Sequence, residues 1–327
     1  MRHVPSRVLA IALLAFVPVA RAFAQGAAPP AASIRIEVDN DVFVLRGSGP
    51  PPDYDYTHGT RIAITWPGAP GRLARAAGAD QRCASVVTER PCLLSSLALG
   101  QEIYTPRHNA PTPIAGDRPH AAWLYGAAAL ERLTAATLQT LRLRAGVTGP
   151  PALGGAAQNE MHRLLHNRPA VGWQAQIPTR LAINAQYDAT RLVARRVSPG
   201  PSRFLSGSVG ATGGTLRLAM RAAAAAYYGF GDAGTWGTAS PLVARPGRFH
   251  VAAGYEQSLV VHDSFIEGVG ATKGASLIPW VGEAYGAVGV RIGRMEAEYR
   301  YVSRSREYRA APDGHPYAAI VVSLVGR

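Results

Sequence analysis

The chain is short of lysine, cysteine and long apolar stretches, and each shortage closes off a class of protein. After the first two dozen residues no segment approaches the roughly 20 consecutive apolar residues that a membrane-spanning helix requires. The Ala-rich run at residues 220–228 stops at nine residues and contains Arg221. Cys83 and Cys92 are the only cysteines. Two thiolates leave a zinc shell incomplete, so in an oxidising compartment the pair reads as a disulfide without a catalytic role. Lys273 is the sole lysine among 34 basic side chains. Arginine forks bind phosphate oxygens bidentately, which suits an anionic lipid head group as well as nucleic acid; GC-rich codon usage is an equally good account of the bias.

What is present points to export and to strands. Arg2 and Arg7 precede an apolar stretch at residues 9–20, and Ala22-Phe23-Ala24 supplies small residues for cleavage before Gln25. Residues 1–24 therefore read as a signal peptide, too short to span a bilayer. Export decides against nucleic acid as the partner. Removing Arg2, Arg7 and Arg21 lowers the formal charge from +13 to about +10. A Pro- and Ala-rich lead, residues 25–32, follows, and residues 33–327 form one domain. Its 47% hydrophobic content, 35 glycines, 13 tyrosines and 17% charged residues suit strands with one face toward lipid and the other toward a polar lumen.

Alternating segments separated by Gly and Pro predict twelve strands, at residues 34–45, 57–66, 94–104, 121–130, 136–147, 179–192, 203–211, 215–227, 248–260, 280–290, 291–302 and 317–325. The fold class is all-β, an antiparallel outer-membrane barrel of about twelve strands. Alternation is clearest where Met295, Ala297, Tyr299 and Tyr301 interleave with Arg294, Glu296, Glu298 and Arg300. A half-buried strand of a soluble sandwich has the same pattern, and the chain ends in Gly326-Arg327 where barrels of this kind commonly carry an aromatic residue. One segment breaks the β pattern. Residues 152–165 hold Ala, Leu, Gln, Glu and Met without a β-branched side chain, after Gly149-Pro150-Pro151, and predict a short helix in an insertion near residues 150–167.

Four ordered patterns carry a family resemblance. They are Asn40-Asp41 closing the first strand; Asp53-Tyr54-Asp55-Tyr56-Thr57-His58-Gly59; Gly100-Gln101-Glu102-Ile103-Tyr104-Thr105-Pro106 with Asp117-Arg118-Pro119; and Gly149-Pro150-Pro151 followed by Gln158, His162 and Gly172-Trp173-Gln174. Across residues 34–180 the chain resembles the lipid A 3'-O-deacylase family; the remaining half matches only as a generic barrel. The resemblance implies a twelve-stranded barrel with an active site between its wall and a loop helix at the outer leaflet. There a calcium ion assists hydrolysis of the 3'-linked acyloxyacyl ester of lipid A, the lipopolysaccharide anchor. By position, the family's histidine falls on His162, its glutamine on Gln158, its polar pair on Asn40 and Asp41, and its threonine on Thr57. Arg107 and Arg118 are candidates for lipid phosphate. A monomer in the outer membrane is expected.

The residues support this chemistry directly. Gln158 and His162 are four apart, so a helix places both on one face, where the imidazole can act as general base on a water. A hard cation held by Asp41, with Asn40 beside it, would offset charge on the attacked carbonyl oxygen. Consecutive strand residues point to opposite faces, so Asn40 and Asp41 serve one site only where the strand bends; His58 is expected to point away from Thr57 for the same reason. The family's acidic residue six positions after the histidine is Arg168 here, with Asp53 or Asp55 as replacements, and Asp117-Arg118-Pro119 runs on into His120-Ala121-Ala122 where the family has an aromatic residue and Ala-Gly. His262-Asp263-Ser264 contains the residue types of a hydrolase triad, but adjacent strand residues diverge and cannot form the nucleophile, base and orienter geometry, so the grouping reads as coincidence. The competing classes are an outer-membrane phospholipase with a serine nucleophile, for which no His-x-Ser-Asn-Gly arrangement exists, and a degenerate barrel acting as channel or envelope scaffold.

Overall fold

The computed structural model describes residues 32–45, 54–79, 81–83, 90–164, 166–196, 201–230 and 248–326. The expected signal peptide, nearly all of the lead, and Asp53 lie outside them. Twelve long strands run in chain order: β1 (Ser33–Asn40), β2 (Asp55–Pro67), β3 (Cys92–Thr105), β4 (Ala121–Leu133), β5 (Thr137–Thr148), β6 (Leu181–Arg196), β7 (Pro201–Gly214), β8 (Arg217–Phe230), β9 (Phe249–Asp263), β10 (Trp280–Ile292), β11 (Met295–Arg304) and β12 (His315–Val325). Each pairs antiparallel with its chain neighbours, and β1 pairs with β12, so the sheet closes on itself. Closure satisfies every strand edge, which hydrocarbon surroundings demand.

The two faces of the wall settle the choice between barrel and soluble sandwich. Ile34, Ile36, Ile62, Ile64, Leu141, Leu143, Val288, Val290, Ile320 and Leu324 all point outward and are 40–53% exposed. Arg35, Glu37, Arg61, Glu131, Arg142, Arg144 and Arg300 instead line an internal cavity of about 220 Å³. Apolar side chains outside and charges inside reverse the arrangement of a water-soluble fold, and match a barrel whose solvent is lipid.

The described chain ends, Ala32 and Gly326, lie at one end, where Gly326 N–H donates to the Ala32 carbonyl at 2.6 Å. The loops at the other end are mostly the longer ones, including residues 149–180, as expected of the outward-facing end of such a barrel. There the lumen is filled. A helical turn, Ser264–Glu267, inserts Phe265, which stacks on Tyr104 at 4.5 Å and packs in a cluster with Tyr56, Trp123, Leu216, Val302 and Tyr317. At the terminus-bearing end, Cys83 and Cys92 form the expected disulfide.

Most strand boundaries shift by a few residues from the sequence reading, and three differences have a local cause. The first strand does not reach residue 45: it stops at Asn40, and Asp41–Phe43 form a 3-10 turn capped by the Asn40 side chain, which accepts from Val42 N–H at 2.8 Å. The break between β10 and β11 lies at Gly293-Arg294 rather than after Val290, because Gly293 takes the left-handed conformation (φ 60°) that a two-residue hairpin needs. The short helix α2 (Gly154–Leu164) begins two residues later than expected, after a 3-10 turn at Pro150–Ala152; α1 is the surface turn Gly71–Ala76.

Candidate active site

Asn40 and Thr57 lie on the outer wall at the loop-bearing end of β1 and β2, and the helix carrying Gln158 and His162 docks on the neighbouring β3 and β4. Asn40 pairs across with His58, His58 with Ile103, and Ile103 with Ala122, so one lateral row crosses four strands. Strand spacing of about 4.8 Å puts Asn40 roughly 10 Å from Ile103 along that row. The row faces outward in register with Ile34 and Ile36, but instead of lipid it meets the loop insertion. Ile103 and Ala122 are fully buried against Ala152, Ala170 and Trp173.

The insertion is pinned close to the wall. Gln101 Nε2 donates to the Ala152 carbonyl at 2.6 Å. Gly154 opens α2, and a Cβ there would sit 2.4 Å from Ala122 Cβ and 2.6 Å from the Trp173 ring, so the helix approaches as near as it does only because the residue is glycine. Asn159 accepts from Ala170 N–H at 2.7 Å, and Asn109 accepts from Val171 N–H at 2.8 Å, tying the returning segment to the helix and to the loop before β4.

Gln158 and His162 occupy the covered face of α2, at 5% and 6% exposure, while Glu160 and Arg163 pair on its exposed face. The Gln158 Oε1 atom accepts the Trp173 indole N–H at 2.9 Å. His162 Nδ1 lies 2.6 Å from the Arg168 carbonyl oxygen. A carbonyl only accepts, so this contact assigns the hydrogen to Nδ1 and the lone pair to Nε2. The reversal after the helix makes this possible: His166 adopts φ 57°, and Asn167 N–H donates to the His162 carbonyl at 2.8 Å. The position expected to be acidic thus serves through its backbone, with the Arg168 side chain exposed.

The bend demanded of Asn40 and Asp41 exists. Asn40 ends the ladder, and Asp41, 3% exposed, begins the 3-10 turn. Thr57 is the extra residue of a bulge, since Tyr56 pairs with Tyr104 and His58 with Ile103. Its hydroxyl meets that of Thr105 at 2.6 Å in a buried contact. The bulge also corrects the expectation for His58. Its Nδ1 lies 3.1 Å from Asn40 Nδ2, and its Nε2 lies 2.8 Å from Thr60 Oγ1. The amide is the donor, so His58 carries its hydrogen on Nε2 and holds the Asn40 amide in place. Sequence reasoning missed His58 because a bulge shifts strand parity without a residue signature.

Arg107 and Arg118 fill the barrel mouth rather than reaching outward. Arg107 pairs with Asp55 at 3.0 Å and with Asp313, and its guanidinium lies over the Tyr54 ring. Arg118 has no exposed side-chain surface and pairs with Asp55 at 3.4 Å and Glu307 at 3.1 Å. Burial opposes the charge on Glu307, but Arg304 and Arg118 outweigh it and hold the carboxyl down to about 2. These carboxylates replace the lipid phosphate expected at Arg118, and they commit Asp55 to the mouth instead of the site beside His162. His120, stacked at 4.9 Å on Trp173, is pushed down to about 4 by burial.

An oxygen-only set, the buried Asp41 carboxylate with the second lone pair of Asn40 Oδ1, suits a hard cation such as calcium with waters completing the shell. One cluster among the described residues combines His250, Glu296 and Glu298. It lies in the lumen at the far end, contains nitrogen and already binds Arg300 through Glu298, so it is unrelated to this site.

A family profile described as outer membrane protein LpxR matches residues 8–325. The chain belongs to the LpxR family. Its place is accordingly the outer membrane, in keeping with the closed twelve-stranded barrel. Among solved structures, LpxR from Salmonella typhimurium aligns with a TM-score of 0.71 and 20% identity over 89% of this chain and 99% of that one, a likeness of fold. The β domain of the Bordetella autotransporter Brka gives 0.45 at 11% identity, covering 91% and 98%. The COG4313 outer membrane channel of Pseudomonas putida F1 gives 0.43 at 10%, covering 91% and 97%. No curated protein matches the chain in sequence.

Proposed function

We propose that this LpxR-family barrel hydrolyses the 3'-linked acyloxyacyl ester of lipid A, with His162 as general base and a calcium ion held by Asp41 and Asn40. The observation that carries the reading is the fixed imidazole: Nδ1 is engaged by a peptide carbonyl at 2.6 Å, which leaves Nε2 as the proton acceptor on the covered face of α2. Nε2 takes a proton from water as that water adds to the ester carbonyl carbon; the sugar alkoxide then leaves and takes the proton back. Gln158, held by Trp173, would orient the attacking water or the imidazole, and Thr57 would supply a hydroxyl from the bulge in β2. The cation, when bound, offsets the negative charge that develops on the carbonyl oxygen. The site's position on the outer wall favours a substrate drawn from the outer leaflet. The filled mouth of the lumen speaks against a passive channel.

Membranes bearing the protein should release the 3'-acyl group from lipid A with calcium and not with a chelator, as read by mass spectrometry. An unchanged lipid A mass with calcium present refutes the reading. Phosphatidylethanolamine supplied in parallel tests the phospholipase alternative, for which lysophospholipid would be the main product.

A further inference from the structure

Ser264, His262 and Glu267 come together at the outward end of β9, where a regular strand would separate them. Two irregularities gather them. The β8–β9 ladder skips Val261, so that His262 lies opposite Leu218 on the outer face, and the helical turn Ser264–Glu267 then folds back over it. His262 Nδ1 is 2.7 Å from Glu267 Oε2, and His262 Nε2 is 3.0 Å from Ser264 Oγ. Each member is held in turn: Asp263 N–H donates to the same Glu267 oxygen at 2.9 Å, and Ser264 N–H donates to the Leu216 carbonyl at 2.8 Å. An ionised carboxylate only accepts, so Nδ1 carries the hydrogen, and Nε2 is the acceptor for the serine hydroxyl. The other acceptor near that hydroxyl, the Thr215 carbonyl, is farther away at 3.4 Å.

We propose that Ser264 is a nucleophile activated by His262 and oriented through Glu267, forming an acyl-transfer centre that takes esters of long, slim acyl chains, separate from the His162 site. Nucleophile, base and orienter within hydrogen-bonding reach of one another are the recurring signature of such a centre. The His262 and Glu267 side chains are 42% and 37% exposed on the outer wall, whereas Ser264 sits beneath them at 3%. With Ser264 this well covered, the centre would admit a slim acyl group rather than a bulky one. Leu218, Met220 and Val261, 48–57% exposed, form an apolar track alongside on which an acyl chain of a membrane lipid would lie. In the reaction Oγ bonds to the ester carbonyl carbon while its proton passes to Nε2. The carbon–oxygen bond to the alcohol breaks, and the alcohol leaves with that proton. Water, deprotonated by the same nitrogen, then adds to the acyl-serine carbonyl; the bond to Oγ breaks, Oγ takes that proton back from Nε2, and the free acid departs.

The test is labelling of the purified full chain, in detergent micelles, with an alkyl fluorophosphonate. One adduct is expected, mapped to Ser264 by peptide mass spectrometry. It should be absent from Ser264→Ala, slowed on the order of a hundredfold in His262→Gln, and unchanged in His162→Ala. The last variant keeps this centre distinguishable from the deacylase site. No adduct on the wild-type chain, an adduct that persists in Ser264→Ala, or an equal rate in His262→Gln overturns the proposal.

Discussion

His162 is oriented by a peptide carbonyl, so the proposed deacylase chemistry should not need the side chain at position 168, despite its departure from the family pattern. Arg168→Ala should retain lipid A deacylation to within about twofold, while His162→Ala should lose roughly a hundred- to ten-thousandfold, the usual worth of a positioned general base; a mass-spectrometric time course measures both. Trp173→Phe keeps a ring against Ile103 and Ala122 but removes the indole N–H that holds Gln158. Losing that hydrogen bond costs about 1 kcal/mol, and deacylation should fall while the thermal midpoint of the barrel stays near wild type. The candidate residues Asn40, Asp41, Thr57, Gln158 and His162 were picked out by ordered motifs. His58 and the Ser264 group were not, because both depend on a bulge that turns a side chain to the other face. Arg107 and Arg118 misled for a different reason: the carboxylates that claim them, Asp55, Glu307 and Asp313, come from segments distant in sequence.

The insertion carrying α2 is the element on which the proposed deacylase chemistry depends, and its docking rests on small residues. Gly154→Val would drive branched methyl groups into Ala122 and the Trp173 ring, both under 3 Å from even a single added carbon. Overpacking of this kind typically costs about 1–3 kcal/mol. The insertion should then lift from the wall while the closed sheet persists. Limited proteolysis should cut within residues 149–177 of the variant and spare that segment in the wild type; equal resistance would show that the helix tolerates the added bulk. The helix itself was readable from composition. Its partner surface was not, since nothing local in the sequence tells that the outward faces of Gln101, Ile103 and Ala122 meet protein rather than lipid.

For the barrel as a unit, lipid is the solvent of the outer face, and substitutions there should follow membrane energetics. Ile36→Arg places a charge on the lipid-facing row and should destabilise the folded state by about 2–4 kcal/mol if it lies near the bilayer midplane, measured by denaturant unfolding in lipid vesicles; a change under 1 kcal/mol would contradict that placement. Acid should act through the outward end. Glu307 is held at about 2 against an ordinary 4.5, and His120 at about 4 against an ordinary 6.5. Both groups bind protons less readily when folded, so the unfolded chain gains protons first as pH falls. Their contribution is complete above about pH 6.5 and is lost progressively toward pH 2. The thermal midpoint in detergent should decline across that window, and Glu307→Gln should flatten its lower part, below about pH 4.5.

Period-two alternation, turn residues and the scarcity of long apolar runs are local properties of the chain, and they were enough to specify twelve antiparallel strands in one closed sheet with a helix interrupting the β pattern. Which face met lipid, which arginines were neutralised, and which histidine was brought beside which acceptor depended on contacts between segments far apart in the chain, such as Arg107 with Asp313, 206 residues away. Those contacts arise only when the sheet closes and loops from different hairpins share one mouth, a condition no short stretch of sequence encodes.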